Sequence, residues 1–187
     1  MEQKVNVWKA SLMYGIILGM VGVLYVLLKF YSDLTIGNIY SVFQIVLFVY
    51  LLKLYRDNHA SGNITYKQLF WVGVIIFFYY AIINAIFTYL LFEVIDTGLI
   101  DREVAIYEKS LIEQGKPQET IDSWLVFHRE YLKPNIRNTT MGILGTMIYG
   151  TIVSLGASIF MFVASIFIKK KSNSPIDAPT DNNNNSI

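Results

Sequence analysis

Two histidines, no cysteine, and a few amides and hydroxyls inside long apolar runs are what this 187-residue chain offers to chemistry. His128 has Glu130 two residues on, which puts the pair on different sides of a helix, so the two are not a metal-ligand pair. His59 has no second histidine four residues away, and neither a His-Glu-x-x-His motif nor a phosphate-cradling Gly-Lys-Ser/Thr turn occurs. "SLGAS" at 154–158 lies within an apolar run and is not the strand-to-helix elbow that exposes a nucleophilic serine. The absence of cysteine excludes disulfides, thiolate metal sites and thiol nucleophiles. The expectation is a non-enzymatic protein with no catalytic residue, metal ligand or cofactor.

Three polar residues remain: Gln44, Asn84 and Thr88, each embedded in an apolar segment. Asn84 and Thr88 are one helical turn apart and share a face with Ala81 and Ala85. Polar groups in such places line substrate paths or bond one helix to the next. Gln44 and Asn84 both fall near the middle of their segments, so a hydrogen bond between them is expected.

The elements that must position these residues follow from the gaps between charges. Charged residues make up only 16% of the chain, against roughly 25% in soluble domains, and they are unevenly spread. Lys9 to Lys29 encloses 19 uncharged residues, Asp33 to Lys53 another 19, Lys67 to Glu93 25, and Arg137 to Lys169 31. About 20 apolar residues cross a bilayer, and backbone in lipid must satisfy its own hydrogen bonds, so each gap reads as a spanning helix. The fourth gap would run about 46 Å as a helix, so it tilts or begins outside the bilayer. No small-x-small cleavage pattern follows the first gap, which therefore reads as an uncleaved span.

The predicted fold is an all-α membrane protein with four transmembrane helices, at about 9–29, 34–54, 68–94 and 138–168. An extramembrane helical hairpin, about 97–134, lies between helices 3 and 4. Residues 1–171 would form one membrane domain, and the Asn-rich 172–187 a disordered polar tail. Trp8, Tyr31, Tyr55, Tyr66 and Trp71 stand at span edges like an interfacial aromatic belt. With both termini on one side, that side carries eight Lys and Arg against seven. Lys169–Lys171 directly abut the last span, so cytoplasmic termini are expected. Net charge is +1, which gives no basic field for nucleic acid.

Small residues let membrane helices approach closely. Gly142, Thr146, Gly150, Ser154 and Ser158 recur every four residues in the fourth span, and Ser11, Gly15 and Gly19 do the same in the first. These stripes are expected to meet each other, or one of them to meet a second subunit. In the hairpin, Gly115 suits the positive-φ end of one helix and Pro117 the start of the next. Tyr107, Leu111, Ile121, Trp124, Leu125 and His128 are expected on its apolar face, which would rest on the bundle or serve as a docking surface. "NIT" at 63 and "NTT" at 138 match the short glycosylation-acceptor pattern.

The order of "ITYKQLFWVGV" (64–74), "IFTYLLFEVID" (86–96), "EQGKPQETID" (113–122) and a Gly/Ser-spaced last span ending in "IKKK" resembles the domain of unknown function 4199 family. This is a family of small bacterial membrane proteins, mainly from the Bacteroidota. The likeness spans roughly residues 8–171. It implies a four-span inner-membrane protein and brings no activity or catalytic residue with it. Lipid is the expected partner, together with a second copy or another membrane protein, and the expected role is interaction in the envelope. The alternative is a small transporter or channel component with a polar path near Gln44, Asn84 and Thr88.

Overall fold

A computed structural model describes residues 6–32, 37–59 and 64–172. The tail at 173–187 and the acceptor Asn63 lie outside the described residues.

Helix α1 (Val7–Tyr31) starts where the Asn6 side chain accepts hydrogen bonds from the Trp8 and Lys9 amides at 3.1 and 3.3 Å. Such a cap satisfies amides that the first helical turn leaves without partners. Helix α2 (Gly37–His59) follows, then α3 (Tyr66–Leu90). A reciprocal Thr65–Gln68 box opens α3, each side chain bonding the other's backbone amide. A π-helical turn, Leu91–Ile95, carries α3 to the Asp96 corner. Helices α4 (Leu99–Glu113) and α5 (Gln118–Leu132) form the hairpin, and α6 (Ile136–Ser172) closes the chain. All regular structure among the described residues is helical.

The corner between α4 and α5 is built as its residues foretell. Gly115 takes φ +68°, the Lys116 amide donates to the Leu111 carbonyl, and the Gly115 amide donates to that of Ile112. This paired closure needs a residue comfortable at positive φ.

Helices α1, α2, α3 and α6 contain apolar stretches long enough to cross a bilayer, at Val7–Tyr31, Ile39–His59, Tyr66–Ile95 and Ile136–Ser165. Their outward faces carry large apolar side chains, among them Met13, Met20, Val46, Ile148, Ile152 and Phe160, each about 60% exposed or more. Withholding such side chains from water is worth about 1.5–3 kcal/mol apiece, so lipid is the medium these faces fit. The chain is a membrane protein.

Helix α3 is the axis of the bundle, with α1 and α6 packed along it. The core sits in the half away from the hairpin, where Tyr14 and Leu18 meet Phe48, Leu51, Leu52, Tyr55, Leu69, Val72, Ile76, Phe77, Ala157 and Met161. Tyr55 therefore departs from the expected aromatic belt. It is 4% exposed, with its ring against Tyr14 and His59, because α2 turns this face inward. A smaller cluster of Leu91, Phe92 and Leu99 seats the base of the hairpin on Val26, Phe30, Phe87 and Leu132.

Candidate functional site

The two small-residue stripes do not meet each other; each closes onto α3. A Cβ on Gly15 would fall 2.5 Å from Cβ of Tyr79, and one on Gly19 would fall 2.8 Å from Ile83. On the other flank, a Cβ on Gly150 would fall inside the Phe77 side chain, and Ser154 lies against Gly73. Helix α3 offers both large and small residues, so it interlocks with two stripes that would otherwise present holes to holes.

The stripe on α6 splits in two. Gly150, Ser154 and Ser158 are buried, and the two serines are fully enclosed. Gly142 is exposed, with nothing within 4 Å of where its Cβ would stand, and Thr146 turns its hydroxyl back to the Gly142 carbonyl at 2.8 Å. Opposite them α3 presents Ala81, Asn84, Ala85 and Thr88. Small residues face small residues here, and a cleft of about 240 Å³ opens between the helices. Its upper wall adds Tyr89 and Phe92, and its rim is Tyr131–Pro134 with Asn138 and Thr139. Two features that spacing identified separately, the polar pair Asn84/Thr88 and the Gly142/Thr146 half-stripe, thus share one cavity.

A polar corner holds the rim in place. The Asn138 side-chain nitrogen donates to the carbonyls of Glu130 and Lys133 at 2.7 and 3.0 Å, and the Asn138 amide donates to Asn135 Oδ1 at 2.8 Å. The end of α5 is thereby tied to the start of α6. The Lys133 ammonium pairs with Glu130 at 2.7 Å. Spacing marked Asn138 only as a glycosylation acceptor; its amide is committed to this corner.

The expected Gln44–Asn84 bond is absent. Asn84 donates instead to the Gly19 carbonyl at 3.3 Å and the Tyr80 carbonyl at 3.0 Å. Gly19 and Gly22 lack side chains, which bares the α1 backbone to the Asn84 amide. Gln44 is 5% exposed, one turn along α2 from Tyr40, whose hydroxyl lies 3.4 Å from that of Tyr80. Tyr25 stacks on Tyr40 at 3.6 Å. Sequence reasoning missed this tyrosine group, although Tyr40/Gln44 and Tyr80/Asn84 are matched pairs one turn apart.

In the hairpin, Leu111 and Ile121 are buried and Leu125 is half-buried. Tyr107 stacks on His128 at 4.3 Å. Trp124 does not join them. It is 48% exposed and meets Phe127 edge-on at 6.0 Å, because α5 carries a second apolar stripe of Trp124, Phe127 and Tyr131 beside the first. An Arg129–Asp101 pair at 2.6 Å bridges the two helices. At the base, Arg102 pairs with Asp96, and the Tyr31 hydroxyl donates to Asp96 at 2.8 Å. Those hydrogen bonds, chiefly that from Arg102, hold the Asp96 carboxyl below the usual carboxylate range.

Among the described residues no three His, Cys, Asp or Glu side chains gather where they could share a metal ion. His59 is exposed at the end of α2, far in sequence from the cleft walls.

The family model described as "Protein of unknown function (DUF4199)" matches residues 13–162, and the chain belongs to that family. No curated protein and no solved structure matches the chain.

Proposed function

We propose that this member of a family of unknown function is a non-enzymatic envelope protein that works by receiving a membrane-borne guest in the cleft between α3 and α6. The carrying observation is that the chain leaves this cleft unfilled although the same two helices interlock one turn further along, at Gly150 and Phe77. The chemistry of the walls agrees. Asn84 and Thr146 spend their hydrogen bonds on backbone carbonyls, so they present a surface suited to packing more than to reaction. The setting is the bacterial inner membrane with both termini cytoplasmic, a reading supported by Lys169–Lys171 abutting the last span.

A diazirine-bearing side chain at Thr139, on the rim, tests this in native membranes. Adducts at Thr139 should exceed those at Ile148, an exposed α6 residue outside the cleft. Equal yields at both positions would count against a guest site. The transporter reading draws on Asn84 and Thr88 in the cleft wall, but the third member of that path, Gln44, is buried and does not line it. An Asn84→Leu variant with unchanged flux would remove that reading.

A further inference from the structure

The shape of the cleft narrows the class of guest. Its walls run along α3 from Ala81 to Phe92, 11 residues and so roughly 16 Å. The apolar stretch of α3 extends from Tyr66 to Ile95, which puts Ala81 near its centre. The cleft therefore spans one leaflet of a core about 30 Å thick, from the hairpin-side surface to the middle. There it ends, because Gly150 and Phe77 are interlocked and Gly73 and Ser154 are in contact beyond them.

A partner helix fits this shape badly. A helix is about 10–12 Å in diameter, too wide to sink into a cleft of about 240 Å³. A spanning helix that entered the groove would also have to leave it at mid-membrane. A lipid chain ends at that depth.

The mouth suits the other end of such a molecule. Lys133, whose ammonium pairs with Glu130, lies on the rim, and Arg137, next in sequence to the rim residue Asn138, has no carboxylate partner among the described residues. Both sit by the positive end of the α6 dipole. The cleft is continuous with the lipid-facing surface of α3 and α6 through a neighbouring depression that shares Ala85, Tyr89 and Thr139.

We infer that the cleft holds one acyl chain of a phospholipid from the hairpin-side leaflet, with the phosphate near Arg137 and Lys133. This rests on the guest-site reading above and names the guest. Gly142 is the position that keeps the site open, since a Cβ there would have no protein atom within 4 Å and a larger side chain would project into space the acyl chain needs.

The test uses the full chain in vesicles of phosphatidylethanolamine and phosphatidylglycerol doped with a phospholipid carrying a diazirine midway along one acyl chain. Photolabel mapped by mass spectrometry should concentrate on Ala85, Thr88, Thr139 and Gly142. Gly142→Leu, and Ala85→Leu on the opposite wall, should each lower labelling there about fivefold or more, the smallest effect expected from crowding an occupied site. Gly145→Leu, equally open but not in the cleft, should leave it unchanged. Label spread evenly around the spans, or cleft labelling unmoved by both filling variants, overturns the inference. Cleft residues shielded by a second copy or another protein overturn it too, while leaving a guest site standing.

Discussion

The two halves of the α3–α6 seam are made of the same kind of residue and behave in opposite ways. Away from the hairpin, Gly150 receives Phe77 and Ser154 rests on Gly73; toward it, Gly142 and Thr146 face Ala81, Ala85 and Thr88 across an open cleft. A small residue is a hole, and a hole makes a contact only when the opposite helix supplies a knob or can draw near. Opposite Gly142 and Thr146 α3 supplies no knob. The Asn138 corner, with its bonds to Glu130 and Lys133, sets where α6 begins and so works against closure. The closed half holds the bundle together, and the open half is free to accept something else.

The largest expected effect breaks the closed half. Gly150→Leu forces a side chain into Phe77 and should cost about 2–3 kcal/mol, measured as a clear fall in thermal midpoint in detergent. An unchanged midpoint would mean that the helices are not interlocked there. A smaller loss is expected for Asn84→Ala, which removes the bond to Gly19 on α1. Hydrogen bonds between membrane helices average about 0.6 kcal/mol, so a loss of several kcal/mol would give Asn84 a larger structural part than its geometry supports.

Smaller again is the base of the hairpin. Asp96 has a depressed carboxyl, so the stability it contributes is present above the ordinary carboxylate pKa and is lost as pH falls through its folded value. Asp96→Asn should lower stability at neutral pH and so flatten the acid limb of a stability–pH curve, the two proteins converging at low pH. A loss as large at low pH as at neutral pH would contradict the assignment. The smallest effect is expected for Gly142→Leu, within about 0.5 kcal/mol, since an added Cβ has no protein atom within 4 Å and the cleft has room for the rest. A drop comparable to that of Gly150→Leu would erase the distinction between the halves.

Much of this architecture was legible in the residues. Charge-free stretches of 19 or more marked the spans because lipid excludes charge, and Gly115 marked the hairpin corner because its backbone needs positive φ. The stripes were legible too, but not their partner. Periodicity tells which residues share a face and is silent about which helix arrives there. The same limit explains Asn84, whose partner proved to be a carbonyl bared by missing side chains on α1. It explains Trp124 as well, since α5 has two neighbouring apolar stripes and only packing decides which one is covered. The cleft had no signal of its own. It arises where two small-residue faces oppose each other, which is a property of the pair.

Because the chain contains no cysteine, paired substitutions can measure the seam directly. Disulfides form when Cβ atoms stand about 3.5–4.5 Å apart. A Cβ on Gly73 would stand 2.9 Å from that of Ser154, so a slight parting of the helices brings Gly73→Cys with Ser154→Cys into range for an intramolecular crosslink in native membranes. Ala85→Cys with Gly142→Cys, across the open cleft, should not close. Efficient closure of both pairs, or of the second alone, would contradict a seam that is sealed on one side and open on the other.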